Sequence, residues 1–73
     1  MKTFYQEKFA ENLKKLRQQK GLSQKILSEQ TKVSLYWIRV CENGKAYGGI
    51  DELINVAAFY GVPIDYLLGL KDY

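Results

Sequence analysis

An all-α fold of five helices is the architecture this sequence predicts, and three observations predict it. Glycines stand at Gly21, Gly44, Gly61 and Gly69, each just after a run of apolar residues at helical spacing. That is where a helix closes on a left-handed residue. Residues suited to opening a helix precede the same runs, and no segment alternates apolar and polar residues for long enough to make a strand.

The elements follow in order. The first helix covers about 4–20, with Phe9, Leu13 and Leu16 on one face at i, i+4 and i+7. Thr3 with Gln6 reads as a capping box at its start. The second is short, about 24–31, capped by Ser23 with Leu22 stapled to Leu27. The third, about 35–43, is capped by Ser34 with Val33 stapled to Ile38. The fourth, about 50–60, carries Leu53, Val56, Ala57 and Tyr60 on one face. The fifth, about 64–68, takes Pro63 in its first turn, where a missing N–H costs nothing. The expected core is Phe9, Leu13, Leu16, Leu22, Leu27, Val33, Ile38, Cys41, Leu53, Val56, Ala57, Val62 and Leu67.

A chain of 73 residues is enough for one domain, expected to span 1–73. A composition 47% hydrophobic and 26% charged is that of a folded globular chain rather than a disordered one. One cysteine and no histidine exclude an internal disulfide and speak against a zinc site; no cofactor is expected. No run of about 18 apolar residues reads as a membrane span. The early charges Lys2, Glu7 and Lys8 leave no apolar signal core, so the expected location is the reducing cytoplasm. Charge is uneven: residues 1–49 hold ten Lys/Arg against four Asp/Glu, a net of +6, and residues 50–73 a net of −3. A basic half suits a polyanion such as nucleic acid; a solvated surface accounts for the same clustering.

Helices two and three are separated by residues 32–34 alone, so they must cross steeply as a helix-turn-helix over about 23–43. On the third helix Ile38 and Cys41 point inward, Ser34 and Trp37 lie at the edge, and Leu35, Tyr36, Arg39 and Val40 lie on the opposite face. That face enters a major groove if the chain reads DNA.

The segments LKKLRQQKGLSQ at 13–24, VS at 33–34, IRVCENGK at 38–45 and YGVPIDYLLG at 60–69 together resemble the phage-repressor, or Cro-type, helix-turn-helix DNA-binding domains of the XRE family. The resemblance covers about three-quarters of the chain. It implies a lambda-repressor-like five-helix domain. It also implies that Gln24 contacts phosphate and braces the recognition helix, and that Leu35, Tyr36 and Val40 reach base edges. Asn43 and Lys45 then contact phosphate, and Arg17 with Glu42 forms a structural ion pair. Lys25 and Ser34, at the starts of the two helices, and Arg39 on the outward face complete the expected DNA-binding set.

The chain departs from the family pattern at several places. Lys32 stands where the turn usually has glycine, and a lysine at positive φ carries about 1 kcal/mol or more of strain. Ser28 stands where alanine is usual, Thr31 where an aliphatic residue is common, and Gly49 where a polar N-cap is usual. The reading face itself is apolar. Either Leu35 and Val40 pack on thymine methyl groups, with Arg39, Tyr36 and DNA shape adding selectivity, or the patch is a protein-binding surface.

Catalysis finds no support. There is no histidine, Cys41 lies on an apolar face as a small buried hydrophobe would, and Asp51 and Glu52 point in different directions. The expected function is therefore sequence-specific binding of double-stranded DNA by a non-enzymatic transcriptional regulator, with repression as the expected sign. A homodimer on a two-fold operator is expected, joined at the acidic C-terminal end through Tyr66, Leu70 and Tyr73. The alternative is a protein-interaction module or antitoxin that uses the apolar face of the same helix.

Overall fold

Five helices follow one another: α1 (Phe4–Gln19), α2 (Gln24–Thr31), α3 (Leu35–Glu42), α4 (Ile50–Tyr60) and α5 (Ile64–Leu67). The computed structural model describes residues 4–45 and 49–70, and no strand occurs among them. The Thr3–Gln6 capping box and Tyr73 involve positions outside the described residues.

The helix ends follow from local chemistry. Ser23 Oγ accepts from the Ile26 N–H and Ser34 Oγ from the Trp37 N–H, so α2 and α3 each start on a serine cap. α1, α3, α4 and α5 stop at the four glycines, all at positive φ. In each case the residue after the glycine bonds back five positions, as Leu22 N–H does to Arg17 O and Lys45 N–H to Val40 O. These pairs satisfy carbonyls that the last turn leaves without partners. Boundaries differ slightly from expectation. α1 ends at Gln19 rather than 20, Asn43 is the C-cap of α3, and Leu68 caps α5. Pro63 is the N-cap of α5 rather than part of its first turn, and its carbonyl accepts from Tyr66 and Leu67.

Gly49 opens α4 without a side-chain cap. The Glu52 carboxylate lies over Gly49, in the space a Cβ there would take, so a larger residue would need that side chain to swing aside. Asp51 and Glu52 in the first turn place negative charge at the positive end of the helix, where a polar cap would supply a hydrogen-bond acceptor.

α1 packs on α3 and α5, α2 on α3 and α4, and α4 on α5. The core joins Phe9, Leu13, Leu27, Val33, Ile38, Cys41, Val56, Ala57 and Leu67. Leu16, Leu22, Leu53 and Val62, expected inside, are half-buried against it. Ala10 and Trp37 are buried although the apolar pattern did not place them in the core. Asn12 Nδ2 donates to Tyr66 O at 2.8 Å and Leu67 O at 3.3 Å, tying α1 to the end of α5. The two helices approach so closely that a Cβ at Gly69 would strike the Lys8 side chain.

Candidate nucleic-acid interface

The interface is built around the turn between α2 and α3. α2 closes on Lys32, the one non-glycine residue at positive φ (63°) among those described. The strained turn is held by hydroxyls. Ser28 Oγ donates to the Val33 carbonyl at 2.5 Å. Thr31 Oγ1 donates to Leu27 O at 2.7 Å and accepts, at a longer 3.4 Å, from the Val33 N–H. Both backbone groups of buried Val33 are thus satisfied by side chains. The departures at Ser28, Thr31 and Lys32 form one device: two hydroxyls clamp the turn whose left-handed residue is a lysine.

A second network fixes the far end of α3. Arg17 Nε donates to Glu42 Oε2 at 2.7 Å and Nη2 to Glu42 Oε1 at 3.0 Å, a two-pronged pair. Arg17 Nη1 also donates to Leu22 O at 2.8 Å. Gln24 Nε2 donates to Glu42 Oε1 at 3.1 Å, which joins the start of α2 to the end of α3. Glu42 is only 4% exposed, so its charge depends on these donors. The hydrogen bonds that Arg17 donates to Glu42 raise the Arg17 pKa above its usual value, outweighing burial, and the cation is secure.

The other face of α3 meets solvent. Tyr36 is 75% exposed, and Arg39 and Asn43 are exposed one and two turns on. Leu35 and Val40 are half-buried at the flanks, and Val40 packs against the core cluster as well as facing out. Ser34 is exposed and occupied as the cap. Lys25 and Lys45, at the start of α2 and just past α3, are exposed. A shallow groove beside α3 is lined by Ser34, Tyr36, Trp37, Val40, Lys45 and Glu52. The expected set therefore divides: Lys25, Leu35, Tyr36, Arg39, Val40, Asn43 and Lys45 reach solvent to some degree, while Gln24 joins the inward network.

Trp37 lies inside rather than at the edge: it is 8% exposed and packs edge-to-face on Phe9 with ring centroids 6.0 Å apart. Its i, i+4 spacing to Cys41 is the signal that places both on one side. Cys41 is fully buried, and burial pushes its thiol pKa from 9.0 to about 12. Burial likewise raises Tyr60 from 10.0 to about 12, with Glu42 adding to the shift. Neither group is poised for chemistry near neutrality. No cluster of potential metal ligands occurs among the described residues, and none of their helices is long and apolar enough to cross a membrane.

A helix anchored from behind, presented across a three-residue turn with a solvent-facing arc and basic neighbours, defines a helix-turn-helix module. The profile of the helix-turn-helix domain family matches residues 10–72, and the chain belongs to that family. It is similar to the HTH-type transcriptional activator BcrR of Enterococcus faecalis, 41% identical over 64 residues covering 88% of this chain and 31% of BcrR. It is also similar to the HTH-type transcriptional regulator DdrOP3 of Deinococcus deserti, 30% identical over 67 residues covering 90% of this chain and 52% of the relative. The chain thus spans 31% of the length of one of these curated relatives and 52% of the other. The restriction-modification controller protein C.AhdI from Aeromonas hydrophila shares the fold at TM-score 0.75 and 24% identity, with 85% of this chain and 94% of that one covered. A hypothetical transcription factor, NHTF, from Neisseria shares it at TM-score 0.78 and 22% identity, with 93% and 82% covered.

Proposed function

We propose that this chain is a sequence-specific reader of double-stranded DNA in transcriptional regulation, docking α3 in the major groove. The observation that carries the reading is the division of α3. Its inward side is pinned by Arg17, Gln24 and Glu42, which leaves Leu35, Tyr36, Arg39 and Val40 presented on a fixed support. Lys25, Asn43 and Lys45 then supply contacts to phosphates, which position the domain without reading sequence. Repression by occlusion needs nothing beyond a bound domain and is the sign we favour.

A two-fold dimer would place two such helices on neighbouring half-sites. The C-terminal side offers a surface for it. Leu70 is 55% exposed and, with Tyr5, Leu53 and Leu68, lines an apolar groove of about 270 Å³. Ile50 and Ile54 stand exposed on the same side of α4 as Leu53. Sedimentation that finds one copy per duplex, even on a two-fold site, overturns the dimer.

Selection from random duplex DNA, at two salt concentrations, tests the function itself. The expected result is an enriched motif bound with affinity that falls steeply as salt rises. Arg39→Ala should then weaken binding about tenfold and relax selectivity at one position. No enriched motif, with residual binding gone at moderate salt, would move the apolar face to a protein partner.

A further inference from the structure

We infer that the base-reading arc of α3 recognises the 5-methyl group of pyrimidines in the major groove, so that binding depends on methyl groups more than on hydrogen bonds to bases. The inference rests on the DNA-reading function proposed above and specifies what that site reads.

The argument starts from what the arc can do. Of Leu35, Tyr36, Arg39 and Val40, Arg39 alone offers the paired donors that distinguish a guanine edge. Leu35 and Val40 offer only methyl groups. Each is half-buried, so each presents part of its side chain from a fixed base. Val40 is β-branched and packed against the core, which leaves it little rotational freedom. Between these flanks Tyr36 stands out with 75% of its surface exposed.

The major-groove floor is dominated by hydrogen-bond donors and acceptors, and its most prominent apolar feature is the C5 methyl of thymine. 5-Methylcytosine presents the same group at the same place. An aliphatic side chain set against a polar edge leaves that edge without a partner, whereas set against the methyl it removes two apolar surfaces from water.

The occupant is nucleic acid rather than protein on grounds of charge. Arg39 lies on the arc, Lys25, Lys32 and Lys45 are exposed on the turn and helix ends nearby, and the one acid of α3, Glu42, is buried and committed to Arg17. Glu52 is the single acid at the edge of the adjoining groove, and its carboxylate is folded over Gly49.

The test uses the whole chain and duplexes enriched from two random pools, one of ordinary bases and one with 5-methylcytosine in place of cytosine. Each enriched duplex is remade with deoxyuridine for thymine, or with cytosine for 5-methylcytosine, one position at a time. Loss of a contacted methyl should weaken binding about fourfold at that position. Losses confined to deoxyuridine assign the methyl to thymine, and losses confined to unmethylated cytosine assign it to 5-methylcytosine. Leu35→Ala should abolish the difference at one position; Val40→Ala should do so at another, with thermal melting to confirm that it folds. Equal affinity with and without the methyls, binding being retained, overturns the inference and leaves the DNA reading standing. Absence of saturable duplex binding overturns both.

Discussion

The two sides of α3 share one helix and almost nothing else. Inward, Trp37, Ile38, Cys41 and Glu42 are buried, and Glu42 alone accepts three hydrogen bonds from two other parts of the chain. Outward, Tyr36 and Arg39 face water. The inward side sets where the helix sits; the outward side is free to meet whatever the helix approaches. Val40 belongs partly to both, since it faces out and packs on the core.

The comparison breaks most sharply at Arg17. Arg17→Ala leaves the buried Glu42 carboxylate short of its two-pronged partner and should cost roughly 3–5 kcal/mol of stability, read by urea denaturation. Tyr36→Ala on the other side should change stability by less than about 0.5 kcal/mol, while weakening binding to the selected duplex. Equal stability losses at the two positions would erase the distinction.

High pH should loosen the packing behind α3. The Cys41 thiol ionises near 9.0 in an unfolded chain but near 12 when buried. Folding therefore favours the protonated thiol. Its contribution is complete below pH 9.0 and is lost progressively as pH rises to about 12. Tyr60 adds a parallel loss from 10.0 to about 12. Denaturation midpoints should fall across this window, and Cys41→Ala should flatten the lower part of the fall.

The turn sharpens the comparison with smaller effects. Ser28→Ala removes the donor to the buried Val33 carbonyl and should cost about 1–2 kcal/mol. Lys32→Gly should change stability least. It relieves about 1 kcal/mol of left-handed strain but gives the unfolded chain more freedom, an opposing effect of about 0.4–1 kcal/mol. Thermal melts of the two variants should separate by more than the uncertainty of either.

Much of this arrangement was legible in the residues. The four glycines marked four helix ends, and Ser23 and Ser34 marked two starts, because capping is a local matter of one side chain and a few backbone groups. The inward line of Ile38 and Cys41 followed from helical spacing. Trp37 was harder: its spacing matched Cys41, but an indole is amphipathic, and only the position of Phe9 on another helix decides which way it turns. Asn12 carried no signal at all, since its partners lie 54 and 55 residues away. The roles of Ser28 and Thr31 were visible only as departures from a family pattern; their meaning required seeing that both hydroxyls converge on Val33. The reading face stood out as apolar, but the core contact that immobilises Val40 did not, because it depends on tertiary packing.

The clamp on Val33 bears on how the domain associates with a duplex. Here both backbone groups of one turn residue are engaged before any duplex arrives, and the opposite end of α3 is held through Glu42. The helix is preorganised, so docking sacrifices little conformational freedom. Calorimetry of docking should accordingly show a modest negative heat-capacity change, set by the apolar contact of a few side chains and carrying no contribution from coupled folding.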